Sequence, residues 1–141
     1  GLAALRLGFC ISNPELSNYL NRVRQPFNAN SLALDLGKVA ISDQEHIRKS
    51  VKINSSGMDR ARKAFANLDY NFIESWGNFI SFDAKQDSDV AFQYFLEKGV
   101  ILRSLKVYEM PHHLRVSIGT EEEMDFFLQV LEDYEKDLSK K

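Results

Sequence analysis

The apolar residues between Asn78 and Leu131 change their period several times, and this alternation constrains the fold more than any other feature of the sequence. Asn78–Phe82 reads as a short strand. Ser88–Lys98 then carries Val90, Ala91, Tyr94 and Phe95 at helical spacing, with Gly99 as its C-terminal stop, and Val100–Leu105 reads as strand again. Leu114, Val116 and Ile118 alternate with Arg115 and Ser117, which sets Arg115 opposite the apolar side. Thr120 and Glu123 form a capping box for a last helix expected to bury Met124, Phe127, Leu128 and Leu131. Strands and helices in this order predict an α/β fold. Its sheet would comprise Asn78–Phe82, Val100–Leu105 and Leu114–Gly119, with the last helix on one face.

The first half is simpler. Leu5, Leu7, Phe9 and Ile11 alternate with Arg6, Gly8 and Cys10, the pattern of a strand with one buried face. Asn13 or Ser12 caps a helix with Pro14 in its first turn and Leu16, Tyr19, Leu20 and Val23 on one side, ended by Gln25-Pro26. A second helix starts near Ser31, carries Leu32, Leu36, Val39 and Ala40, and gives way at Ser42-Asp43. From there to Leu68, Ile47, Val51, Met58, Ala61, Phe65 and Leu68 mark one long helix interrupted by Asn54 and Gly57.

Composition narrows the function. The 18 Lys and Arg against 20 Asp and Glu leave a formal charge of -2, far from the basic field of a nucleic-acid binder, so no nucleic-acid partner is expected. No apolar run approaches the length of a membrane span, and a soluble, cytoplasmic protein is expected. Cys10 is the only cysteine and sits in an apolar pattern, which predicts a buried structural thiol. With 141 residues, 44% of them hydrophobic, the chain can bury a core of its own.

Few side chains stand out as candidates for chemistry. His112-His113, adjacent in a Pro-containing turn, lack the geometry and the company of a metal site. Glu121, Glu122 and Glu123 are explained by the first turn of a helix, and Trp76 by plain core. Arg6, Arg103 and Arg115 are different, because each interrupts an apolar strand pattern where a desolvated guanidinium needs an anion. An edge position with the head group in water explains any one of them equally well. Three together favour an anion-handling domain.

Four blocks in order, GLAALRLGF, LNRVRQPFNANSLAL, SWGNFISF and MPHHLRVSIGTEEEMDFFLQVL, resemble the C-terminal part of the histidinol-phosphate aminotransferase family, pyridoxal-phosphate enzymes of the aspartate-aminotransferase fold, type I. The resemblance runs nearly from end to end. It implies that residues 1–42 belong to the large cofactor-binding domain and that 43–141 form a long helix and a small C-terminal α/β domain. It also implies that the lysine forming the Schiff base with pyridoxal phosphate lies three residues upstream of Gly1, with no substitute in Lys38. The fragment alone is then expected to be inactive.

Further implications attach to single residues. Arg6, in LRLG, matches the arginine that holds the cofactor phosphate. Arg115, in HLRVSIGT, matches the one that clamps the substrate α-carboxylate, and Arg103, in VILRSL, the one that helps to hold the phosphate of histidinol phosphate. Ser104 and Glu109 stand where family members often have Pro and Gly. The implied reaction moves the amino group of glutamate to imidazole-acetol phosphate in histidine biosynthesis, in a homodimeric enzyme. Aromatic amino acid aminotransferase is the alternative within the class, threonine-phosphate decarboxylase a more distant one. Outside it stands a non-enzymatic anion-binding or interaction module.

Overall fold

A computed structural model describes residues 1–140 and divides the chain into two compact units, Gly1–Ile47 and Arg48–Lys141. In the first, α1 (Pro14–Val23) is capped by Asn13, whose side chain accepts from the Leu16 N–H at 2.8 Å. Asn30 does the same for α2 (Ser31–Ser42) through the Ala33 N–H at 2.8 Å. Each cap satisfies an N–H that the first helical turn leaves without a partner. The expected opening strand does not form. Ala3–Leu5 make a 3-10 turn, Arg6 takes a left-handed φ of 55°, and the residues up to α1 are irregular, because no neighbouring strand offers them a ladder.

Only Ala33 and Gly37 of α2, and no residue of α1, are buried. Phe9 is 76% exposed, Ile11 90% and Phe27 99%, so this unit turns much of its apolar surface outward. Cys10 is exposed as well, against the expectation of a buried thiol, since the strand that would have buried it is missing.

The second unit holds the core. Here α3 (Gln44–Asn67), which lies in this unit from Arg48 onward, α4 (Ser88–Glu97) and α5 (Glu121–Leu138) accompany the strands β1 (Phe72–Ile73), β2 (Phe79–Asp83), β3 (Arg103–Ser104) and β4 (His113–Ser117). The sheet order is β1-β2-β4-β3, and every neighbouring pair is antiparallel. Ile80 and Phe82 of β2, with Leu114 and Val116 of β4, meet Met58, Ala61 and Phe65 of α3, Ala91 and Phe95 of α4, and Met124, Phe127, Val130 and Leu131 of α5 in one buried cluster. At the centre the Phe65 and Phe82 rings stack at 4.7 Å. All three helices thus cover one face, and the other carries Ile73, Phe79, Ser81, Arg103, Arg115 and Ser117. Gly57 is the close-approach point of α3, where an added Cβ would lie 2.5 Å from the Ile118 Cγ2.

The capping box forms as expected: Glu123 N–H donates to the Thr120 Oγ1 at 3.3 Å and Thr120 N–H to the Glu123 Oε2 at 2.7 Å. Leu128 is half-buried rather than buried. The expected strand Val100–Leu105 shrinks to Arg103–Ser104, and its first residue is taken up in the closure of α4. Gly99 adopts φ +85°, its N–H bonds the Leu96 carbonyl, and Val100 N–H bonds the Phe95 carbonyl at 2.9 Å, which is a Schellman closure. Trp76, expected in the core, is fully exposed in the loop between β1 and β2. β1 itself is too short to show a period.

One polar cluster ties α5 to the turn after β2. Lys85 Nζ reaches Glu135 at 3.0 Å and the Leu68 carbonyl at 2.9 Å, and lies 4.1 Å from the centroid of the Tyr70 ring. Burial raises the Glu135 carboxyl, but Tyr70 and Lys85 together outweigh it and hold the group below its ordinary 4.5. A carboxyl lowered on folding stabilises the fold above its unfolded-state value and loses that contribution as pH falls through the folded value. Glu135→Gln should therefore be less stable than the unaltered chain at neutral pH. Its stability should also decline less steeply between about pH 5 and about pH 3, as read by urea unfolding across that range.

Candidate anion-binding face

The sheet register decides where the arginines go. In the β3–β4 pair Arg103 stands directly opposite Arg115, and in the β2–β4 pair Arg115 stands opposite Ser81. Antiparallel partners share a face, so Ile73, Ser81, Arg115 and Arg103 form one row across the side of the sheet opposite the helices, with Ser81 buried beside Arg115. Arg115 is half-buried and Arg103 exposed. Arg60 and Arg62 have acidic partners in Asp125 and Glu74, but among the described residues no carboxylate pairs with either Arg103 or Arg115. Two like charges directly across an antiparallel pair destabilise it.

Aromatic rings take the place of counter-ions. The Arg115 guanidinium carbon lies 4.6 Å from the Phe79 ring centroid, and that of Arg103 5.9 Å from the Tyr108 centroid, with Arg103 Nη2 donating to the Tyr108 Oη at 3.2 Å. Each contact is worth about 0.5–1 kcal/mol at an exposed site. Among the described residues both leave guanidinium N–H groups without an acceptor, a donor set suited to carboxylate or phosphate oxygens.

The segment carrying Arg103 and Tyr108 is pinned at several points. Lys106 Nζ bonds Asp89 at 2.7 Å and Asp87 at 3.2 Å, and these bonds raise the ammonium's pKa above its usual value. Ser104 Oγ and Ser88 Oγ lie 2.8 Å apart. Glu109 adopts φ 62°, the left-handed conformation that a glycine accommodates at least cost. So Ser104 anchors the loop by a hydrogen bond and Glu109 keeps a glycine-like turn.

Arg6 lies in the other unit. It is exposed, and its Nη1 donates to the Ala3 carbonyl at 3.1 Å. The rest of its five-donor fork has no acceptor among the described residues. His113 is the first residue of β4 rather than part of an exposed turn. Among the described residues no three metal-binding side chains gather. Glu121, Glu122 and Glu123 occupy the first turn of α5, where a helix favours negative charge. Sequence reasoning missed Phe79 and Tyr108. Phe79 stands out only as an aromatic residue at a period-two position on the side opposite Ile80 and Phe82.

The chain matches the family Aminotransferase class I and II over residues 1–131, and it belongs to that family. It is 45% identical over 132 residues to histidinol-phosphate aminotransferase 1 of Nitrosococcus oceani, covering 94% of this chain and 36% of the relative. To histidinol-phosphate aminotransferase 2 of Pseudomonas fluorescens it is 47% identical over 131 residues, covering 93% and 35%. The chain thus spans about a third of the length of these curated relatives. Its fold is like that of histidinol-phosphate aminotransferase from Sinorhizobium meliloti in complex with pyridoxal-5'-phosphate, with TM-score 0.79 and 21% identity over 98% of this chain and 39% of that one. The aspartate aminotransferase of Thermotoga maritima gives TM-score 0.76 at 17% identity, over 94% and 36%.

An uncompensated arginine pair is a liability to the fold alone. Arg103→Gln should therefore stabilise the chain by a few tenths to about 1 kcal/mol at low salt, and by less at high salt where repulsion is screened. Urea midpoints at two ionic strengths check this.

Proposed function

We propose that this chain supplies the substrate-anion face and a phosphate-holding arginine of a histidinol-phosphate:2-oxoglutarate aminotransferase of histidine biosynthesis. The observation that carries the reading is the direct opposition of Arg103 and Arg115, with no carboxylate paired to either among the described residues. Support comes from relatives named histidinol-phosphate aminotransferase at 45% and 47% identity. Pyridoxal phosphate, when bound, supplies an electron sink for moving the amino group and a proton. Arg6 would hold its phosphate with a fixed guanidinium fork.

Arg115 would take the α-carboxylate of glutamate edge-on in two parallel hydrogen bonds and so orient the Cα–H bond for proton removal. Arg103 would meet the phosphate of histidinol phosphate. Histidinol phosphate has a hydroxymethyl group where glutamate has its α-carboxylate, so the two substrates load the arginines unequally. The same reading takes the whole enzyme to be a cytoplasmic homodimer, and the outward apolar side chains of the first unit suit burial against more protein. By itself the chain offers no lysine in the family's cofactor-attachment context and is expected to transfer no amino group.

The test uses an enzyme in which this chain replaces the matching stretch of its Nitrosococcus relative. Arg115→Lys keeps the charge and loses the two-point geometry, and should cost about 2–4 kcal/mol in the glutamate half-reaction with a smaller loss for histidinol phosphate. Arg103→Ala should reverse that order. Single-turnover absorbance changes of the cofactor separate the two, and equal losses for both substrates in both variants would remove these arginines from substrate binding.

A further inference from the structure

Resting on the reading of Arg115 as a carboxylate receptor, we propose that Phe79 is the positioning residue that presets its guanidinium for edge-on capture. Phe79 lies two positions before Ser81, the cross-strand partner of Arg115, and therefore diagonal to Arg115 on the same face. Long side chains span that diagonal. The result is the 4.6 Å contact between the guanidinium carbon and the ring centroid. With the guanidinium carbon over the ring, one side of the group is taken up by a contact that uses no hydrogen bond, and its outward N–H groups are left for a carboxylate.

The ring is itself seated. A Cβ added to Gly77 would lie 3.4 Å from the Phe79 Cε1, so the aromatic edge packs near the bare backbone of Gly77. Gly77 is held in turn: its N–H donates to the Ser75 Oγ at 3.2 Å, and its carbonyl accepts from Asn54 Nδ2 at 3.1 Å. Arg62 Nη2 donates to the Ser75 carbonyl at 3.1 Å and to Glu74 at 3.0 Å. Support therefore runs from α3, through Asn54 and Arg62, to the loop before β2, to Phe79 and to Arg115. Since no carboxylate of the chain orients Arg115 among the described residues, this platform is what fixes the plane of the fork.

The experiment is nitrogen-15 NMR of arginine side chains in the 141-residue chain, read first without ligand and then with glutarate as a carboxylate probe. In the unaltered chain the Arg115 Nε–H should show a ring-current shift and slow rotation about the Nε–Cζ bond. Phe79→Leu should abolish the shift, speed the rotation and weaken glutarate binding about two- to fivefold, while Phe79→Tyr, which keeps the ring, should preserve all three. Amide spectra confirm that both variants fold. Unchanged rotation and shift in Phe79→Leu would overturn the platform. Glutarate binding undiminished in Arg115→Lys, or absent from every variant, would instead overturn the carboxylate reading, because the ligand-free rotation decides the role of Phe79 independently.

Discussion

The antiparallel pairing of β3 with β4 places Arg103 directly across from Arg115, and the second unit is arranged so that this pair can stand without an acid between them. The period of two along β2 and β4 is the underlying constraint. It commits Ile80, Phe82, Leu114 and Val116 to the helices and leaves the alternate residues on the uncovered face. One slip in register would bury the arginines and expose the core. The buried cluster of phenylalanines and leucines therefore sets the position of the charges as well as holding the unit together.

What keeps two guanidinium groups in place without counter-ions is a set of neutral or distant contacts. Phe79 and Tyr108 offer ring faces, and Ser104 and Lys106 tie the β3 segment to the start of α4. A carboxylate in the row would have stabilised the pair and also occupied it. Conformation is thus fixed by groups that leave the donors open, which is the requirement for a receptor of external anions.

Much of this was legible in the sequence where the signal is local. Asn13, Asn30 and Thr120 cap helices through their own side chains, and the alternation around Arg115 needs no knowledge of neighbours. What failed depends on partners that local patterns do not reveal. The pattern from Leu5 to Ile11 is a strand only if another strand meets it, and without one the segment turns at Ala3–Leu5 and leaves Cys10 exposed. Val100 looks like strand by residue type, yet its N–H is already engaged by the end of α4. Trp76 follows its loop out to solvent, and the contact of Phe79 with Arg115 exists only in one register. Of the site, Arg103 and Arg115 were visible as interruptions of apolar patterns, while their opposition across the sheet was not.

The two units differ in how far they satisfy themselves, the second around a buried core and the first with Phe9, Ile11 and Phe27 in solvent. Both contain arginines with donors to spare, and the chain belongs to the family Aminotransferase class I and II. The most direct measurement replaces the matching stretch of the Nitrosococcus enzyme with this chain and asks whether the product restores growth to a histidine auxotroph that lacks histidinol-phosphate aminotransferase. The proposed function predicts growth without histidine, abolished when Arg103 and Arg115 are both changed to Gln. A folded, cofactor-loaded chimera that gives no growth, or one that grows equally well with both arginines replaced, would contradict it.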